Sequence, residues 1–353
     1  MREIRVDLGR ITHNYLALKD INSPAKVMAV VKANAYGHGM HEVAAALDSA
    51  GVDVLGVADL EEAFALRLAG IKAPLMCWIL QPDEDFYQAS AQNIELGISS
   101  LEVLINVLKT PDPKIHIKVE TGLGRNGFLR SSWSEVFSQL EGKEIGLFSH
   151  LSNTSMEDDQ RQQEVFEEAL NLAKASGVKV ITAHLAATAG ALSYPEMRYD
   201  MVRCGIGLYG LNPFEDKGFA EFGLQPAMKA VAKVANVKRV EAGQGVSYGY
   251  KFITSKPTTL ALIPFGYYEG MPRVSVGAKV AINGVQYPVV GRVAMDQFLV
   301  DVGDAKIKIG DEAVVFGDKA LGEPSADELG LSAGTINYEI VTRIGGRAKR
   351  VFS

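Results

Sequence analysis

Short apolar runs recur along the first two thirds of the chain, at residues 27–31, 54–57, 75–80, 94–98, 115–119, 145–150, 178–183 and 202–209. Runs of this length suit strands covered on both faces. Between them the hydrophobic period lengthens to that of a helix, as in Leu60, Ala63, Phe64, Arg67 and Leu68, or Val165, Phe166, Ala169, Leu170, Leu172 and Ala173. Asp59, followed by Leu60, Glu61 and Glu62, reads as an N-cap with acidic residues at the positive helix end, and Gly70 reads as the stop. Eight strands alternating with helices predict parallel pairing and closure into a (β/α)8 barrel. The competing doubly wound open sheet is disfavoured because no GxGxxG follows the first strand.

After Gln225 and Pro226 the pattern changes to strict alternation, as in Val231, Lys233, Val234, Asn236, Val237, Arg239 and Val240, which predicts strands with one wet face. Asn283 and Gly284, set between Ile282 and Val285, form a two-residue hairpin signal. Further strands are expected at 260–263, 289–293, 298–302 and 313–316. The chain therefore divides into an N-terminal strand over 1–10 able to pair with the last domain, a barrel over 11–225, and a β-rich C-terminal domain over 226–353.

Composition narrows the partners. The 353 residues are 47% hydrophobic, no apolar stretch approaches membrane-spanning length, and the N-terminus is charged rather than built like an export signal. A cytoplasmic protein without membrane association is expected. A net charge of −6 opposes generic binding to nucleic acid, leaving a small molecule as the expected partner. Cys77 and Cys204 lie in apolar runs and read as reduced, buried thiols. His38 and His41 have no paired cysteine or HExxH pattern beside them, so no metal is expected.

Barrel enzymes carry their sites at the carboxyl ends of the strands. Lys32 stands there after the first run, facing a loop whose Gly37 and Gly39 are expected to let backbone approach a ligand. Burial against an apolar wall lowers a lysine's pKa and makes it a nucleophile toward carbonyls. Later strands deliver Lys118, Arg125 and His150, then Thr188, then Arg203. Thr188 with free amides at Gly205 and Ile206 would suit a phosphate on the last strands. A reactive amine opposite a phosphate site is the layout pyridoxal 5′-phosphate needs. His116 and His184 read only as packing or hydrogen-bonding histidines.

Several segments in order resemble the alanine racemase family: residues 31–39 around Lys32 and Tyr36, residues 118–125, residues 201–206, residues 246–249, Gly266 with Tyr267, and residues 295–297. The resemblance spans nearly the whole chain. It implies a pyridoxal-phosphate-dependent racemase supplying D-alanine for the cell wall, working as a homodimer with shared active sites. On this reading Lys32 and Tyr248 are the two catalytic acid/base groups, Tyr248 coming from the partner chain. Tyr36, His150, Thr188, Arg203, Gly205 and Ile206 join Lys32 around the cofactor, with Arg203 at the ring nitrogen. Arg125, Tyr267, Met295 and Asp296 are placed at the substrate, and Lys118 at a position carbamylated in the family. Three departures stand out: Ala187 and Thr188 where the family often has Asn and Ser, Glu120 for a common Asp, and Gly346 at what reads as a phosphate-contacting tyrosine. The Glu120 change is expected to be mild, while Gly346 and Ala187 leave open a broader racemase accepting serine beside alanine. A non-catalytic cofactor-binding protein and a decarboxylase of related plan also compete with the racemase; Tyr248 argues against the first and Arg203 against the second.

Overall fold

The N-terminal strand β1 (Arg2–Val6) is followed by the eight apolar runs, which in the computed structural model, describing residues 1–214 and 219–353, become parallel strands. These are β2 (Lys26–Val30), β3 (Val54–Val57), β4 (Leu75–Cys77), β5 (Ile94–Ile98), β6 (Ile115–Lys118), β7 (Glu144–Phe148), β8 (Lys179–His184) and β9 (Met201–Cys204). Each pairs with its neighbour in sequence, and β9 returns to pair with β2. The remaining seam, between β8 and β9, is stitched where Asp200 N donates to Ala183 O at 3.1 Å, Ala183 N donates to Asp200 Oδ2 at 2.7 Å, and Ala187 bridges Arg203. A nearly closed barrel results.

Strand geometry sends alternate side chains to opposite faces, and here that parity builds two separate cores. Val27, Ala29, Leu55, Val57, Ile115 and Ile117 belong to the large core shared with the surrounding helices. Met28, Val30, Val54, Met76, Phe148 and Met201 form a second cluster that fills the barrel. Glu95, His116, Lys118, His184 and Arg203 fall on the inward parity of their strands, as the register with that cluster requires. Room for the rings comes from glycine: a Cβ at Gly146 would strike the His116 imidazole, and one at Gly97 would strike Trp78.

The helical signals act as expected. Asp59 Oδ1 accepts from Glu62 N at 2.9 Å at the start of the helix Leu60–Leu68, and Gly70 follows its end at φ 86°.

Beyond the barrel lies a nine-stranded sheet in which β1 sits between Met228–Lys233, antiparallel to it, and Lys349–Phe352, parallel to it. Asn283 and Gly284, at φ 51° and 78°, turn Lys279–Ile282 into Val285–Val290. Two short helices, Ala326–Ala333 and Asn337–Arg343, were not foreseen, although Ser325 and Glu328 form a reciprocal capping box that marks the start of the first. Among the described residues no helix is long and apolar enough to cross a membrane.

Gly51 and Gly210 both adopt positive φ, 74° and 69°. Only at Gly210 would a Cβ collide with backbone, at the Gln225 carbonyl. Gly51→Ala is expected to cost about 1 kcal/mol, the strain of one left-handed L-residue. Gly210→Ala must also move the 225–226 segment and should lower the thermal unfolding midpoint clearly further; equal midpoints would show that the contact carries no weight.

Candidate active site

The backbone after β2 does something the sequence did not announce. Ala33, Asn34, Ala35 and Tyr36 lie at φ 52°, 55°, 53° and 52°, a left-handed turn made of residues with side chains. Such a conformation costs about 1–2 kcal/mol per L-residue, so the surroundings must impose it. Glu62 Oε1 accepts from Ala33 N at 2.7 Å while its Oε2 accepts from Ala58 N at 2.8 Å. Asn34 Oδ1 accepts from Met40 N at 2.9 Å, and Arg350 Nε donates to Gly37 O at 2.8 Å. Gly37 serves a purpose different from the expected approach to a ligand. A Cβ there would collide with the Val341 carbonyl of the helix Asn337–Arg343, and one at Gly39 with the Phe352 ring. The lysine-bearing turn is thus clamped by both domains.

A cavity of about 380 Å³ opens at the carboxyl ends of the strands. Lys32 and Tyr36 form one wall, Lys118 and Arg125 another, and His150, Thr188, Arg203, Gly205 and Ile206 complete the set anticipated for the barrel. Trp78 and Tyr338 also line it. Trp78 was overlooked although it directly follows β4, where the rule that found its neighbours applies. Tyr338 requires a correction. The aromatic ring thought lost at Gly346 is supplied by Tyr338, whose centroid is 6.2 Å from that of Tyr36, while Gly346 packs on the Tyr268 backbone. The wall there is filled, which removes one of the two reasons for a looser, broader site.

No carboxylate among the described residues lines this cavity, whereas two lysines and two arginines do. Burial, then the Arg125 charge, pulls the Lys32 amine below the usual lysine range. Burial, with Arg203 and Arg125, takes Lys118 down to about 8. Burial and Arg203 hold His150 well below the imidazole range, so it stays neutral. Arg203, lowered by burial to about 9, remains protonated at neutral pH. Its Nη1 donates to His184 Nδ1 at 2.9 Å and His184 O at 3.0 Å; Nη2 reaches Ser149 O at 2.5 Å, Leu185 O at 2.9 Å and His150 Nδ1 at 3.3 Å. Among the described residues Nε–H is the one guanidinium donor left without a protein acceptor.

Thr188 opens the short helix Thr188–Ser193. The Gly205 amide is not free as expected: it donates to Thr188 Oγ1 at 3.1 Å, which leaves the threonine proton to be donated elsewhere. Glu120, the departure expected to be mild, shapes the Arg125 loop. Its Oε1 accepts from Gly122 N at 2.6 Å and Gly124 N at 3.0 Å, and its Oε2 from Arg125 N at 3.3 Å.

The structure does not bring the remaining candidates into this cavity. Tyr248, Tyr267 and Met295 are 70%, 37% and 52% exposed on the C-terminal domain, and Asp296 pairs with Arg347 at 2.7 Å. They share one face. Ser247 Oγ donates to Arg292 O at 2.7 Å, and Tyr267 N donates to Ala294 O at 3.1 Å, so the three segments are tied side by side. One chain therefore presents a concave basic half and a separate exposed half.

Comparison with known proteins covers both domains. A family profile described as alanine racemase, N-terminal domain, matches residues 6–213, and one described as alanine racemase, C-terminal domain, matches residues 227–352. An alanine racemase of Thermobifida fusca (strain YX) is 40% identical over 367 residues, covering 99% of this chain and 98% of that one. The alanine racemase from D-cycloserine-producing Streptomyces lavendulae superposes with a TM-score of 0.96 at 38% identity, covering 100% and 97%. That of Streptomyces coelicolor A3(2) gives 0.95 at 36% identity, covering 99% and 97%.

Burial would raise the Glu120 carboxyl, but its hydrogen bonds from Gly124, Gly122 and Arg125 hold it below the usual range. A depressed carboxylate contributes order above its unfolded pKa and loses it as pH falls through the folded value. Glu120→Ala is expected to free the Arg125 loop and raise KM for a carboxylate-bearing substrate more than it lowers kcat. Steady-state kinetics at neutral pH read this directly; an unchanged KM would deny Glu120 any hold on Arg125.

Proposed function

We propose, on the premise that this chain belongs to the alanine racemase family, that it interconverts L- and D-alanine with pyridoxal 5′-phosphate in the barrel cavity and a second copy of the chain completing the site. The observation that carries this is a cavity joining a lysine of lowered pKa to a buried arginine and a threonine hydroxyl, with no carboxylate among the described residues on its walls. The cofactor fits that donor set. Lys32 would hold its aldehyde carbon, Arg203 Nε–H its ring nitrogen, and the Thr188 hydroxyl with the Ile206 amide its phosphate, the Gly205 amide being engaged by Thr188; a side chain at Gly205 would intrude on the Tyr36 hydroxyl. When bound, pyridoxal phosphate draws electron density from the amino acid's Cα and so acidifies its proton.

The residues supply the rest. Lys32, when not bonded to the cofactor, would be a free amine beside the substrate, and its desolvation favours the neutral, basic form. Inversion needs a second acid/base on the opposite side of Cα. Tyr248 of the second copy fills that role, since in its own chain it lies on an exposed face. An ordinary phenol, with pKa about 10, is a poor base at neutral pH. A phenol placed near Arg203 and Arg125 is favoured in its ionised form. Arg125 binds the substrate carboxylate together with the second copy's Tyr267, Met295 and Asp296. With Arg203 at the ring nitrogen, offering only an N–H donor, the nitrogen would accept rather than carry a proton, which would keep the electron sink weak and disfavour transamination. Lys118, with a pKa of about 8, has a neutral fraction that carbon dioxide can carbamylate, and the resulting anion would orient Arg125. The product is D-alanine for the cell wall, made in the cytoplasm.

Two variants test the shared site. Lys32→Ala should abolish racemisation. Tyr248→Phe should leave Cα deuterium exchange in heavy water for one enantiomer while blocking it for the opposite one, because each base serves one face. Each variant alone is inactive as a racemase, yet random re-pairing of the two should restore about a quarter of wild-type activity, as half the dimers carry one intact site. No recovery on mixing would refute a site built from two copies. Equilibration with 13C-bicarbonate should give a carbamate carbonyl resonance that Lys118→Met lacks; its absence from the wild type would remove the carbamate.

A further inference from the structure

Inside the barrel a line of polar side chains runs from Glu95, second residue of β5, through His116 on β6 and His184 at the end of β8 to Arg203 on β9. Its contacts are Glu95 Oε2 to His116 Nε2 at 3.0 Å, His116 Nδ1 to His184 Nε2 at 2.9 Å, and His184 Nδ1 to Arg203 Nη1 at 2.9 Å. We infer that Glu95 and His116 are positioning residues for Arg203: acting through His184, they fix the direction in which every proton of this line points and so hold the guanidinium with its Nε–H free for the cofactor ring.

The polarity follows from donor counting. A guanidinium has only protons to offer, so His184 Nδ1 must accept and its single proton lies on Nε2. That proton is donated to His116 Nδ1, which places the His116 proton on Nε2, where a carboxylate oxygen of Glu95 receives it. Every bond has one donor and one acceptor. In the reverse arrangement His116 would donate from Nδ1 to His184 Nε2 and force a proton onto His184 Nδ1, facing the Arg203 N–H. Two donors would then oppose each other in a buried site, a cost of about 1–3 kcal/mol or more beside a charged group. Glu95, an acceptor at the far end, reinforces the first arrangement, since the reverse would also set the His116 Nε2 lone pair against its carboxylate oxygen.

Further features of the barrel serve the same line. Burial would raise the Glu95 carboxyl, yet the His116 hydrogen bond keeps it below the usual range, so it stays an acceptor. Burial and Arg203 hold His184 neutral. Phe148 stacks on the His184 ring at 4.8 Å and 2°, fixing its plane, and lies 5.5 Å beneath the Arg203 carbon. Gly146 is the residue whose missing side chain admits the His116 ring. The Glu95 side chain retains 20% exposure, so the charge that balances Arg203 is kept near solvent, two imidazoles away from the cavity. A carboxylate placed against Arg203 itself would have occupied the donors that the cavity uses.

The inference deepens the racemase reading and rests on Arg203 facing the cofactor ring, but its geometry is tested independently. Neutron diffraction from crystals of the full chain with pyridoxal phosphate bound, exchanged into heavy water, should show deuterium on Nε2 of both His116 and His184 and none on their Nδ1. Deuterium on His184 Nδ1 would overturn the relay. Glu95→Gln keeps an acceptor and should retain these positions, the absorption spectrum of the bound cofactor and most of kcat. Glu95→Leu removes the acceptor and should shift the cofactor absorption and lower kcat by about 10- to 100-fold, as loss of the outer partners of functional histidines does, with KM for alanine little changed. A Glu95→Leu protein with a lower thermal midpoint but wild-type absorption and kcat would reduce Glu95 to a packing role and sink the proposal. Failure of the wild-type protein to racemise alanine would instead remove the functional reading, with the deuterium positions still deciding the relay.

Discussion

A protonated guanidinium kept out of water governs this site. Arg203 is 6% exposed, and no carboxylate touches it; backbone carbonyls at the ends of β7 and β8 and two neutral imidazoles receive its protons. Pairing a buried charge with dipoles rather than an opposite charge leaves its field in place. That field then acts on the neighbours. It helps hold His150 and His184 neutral and contributes to the lowered Lys118. An anionic ligand is at home in such a cavity, whose lining holds no carboxylate among the described residues.

The left-handed turn that carries Lys32 explains why the two domains cannot be treated as independent. Four successive residues are held where an isolated chain would not stay, by Glu62 within the barrel and by Arg350 and the helix Asn337–Arg343 from beyond it. The same helix brings Tyr338 beside Tyr36. β1 reinforces the arrangement, because the first residues of the chain are hydrogen-bonded into the C-terminal sheet on both edges. Loosening the second domain would therefore release the amine's placement before it disturbed any barrel strand.

What could be read from the amino acids was what repeats. Eight apolar runs, the Asp59 cap and the Asn283–Gly284 turn each follow from local rules, and each appears where those rules put it. Residues after strand ends were legible for the same reason, and Trp78 escaped only because the rule was not applied to β4. Residues 33–36 were illegible because no local preference favours a left-handed run of Ala, Asn, Ala and Tyr; distant contacts impose it. The ring expected at Gly346 was misplaced because a seven-residue helix leaves too weak a periodic signal to set Tyr338 over a cavity formed largely by the other domain. His116 and His184 look like filler until parity is counted. His116 and Lys118 are two apart on β6, so they share the inward face, and Gly146 opposite supplies the space.

The division of the site between a concave half and a projecting half has a physical rationale. Tyr248 is exposed on its own chain and lies outside the cationic cavity. The cations that favour a phenolate are fixed at the mouth of the barrel, where water would screen them unless something covers it. On the proposed reading, a second copy laying its Tyr248 face over that mouth would exclude water, sharpen the field and deliver the phenol in one event. Because the face and the mouth belong to the same chain, a two-fold assembly would do this twice. The proposed second base would then become competent only in the complex that also places it.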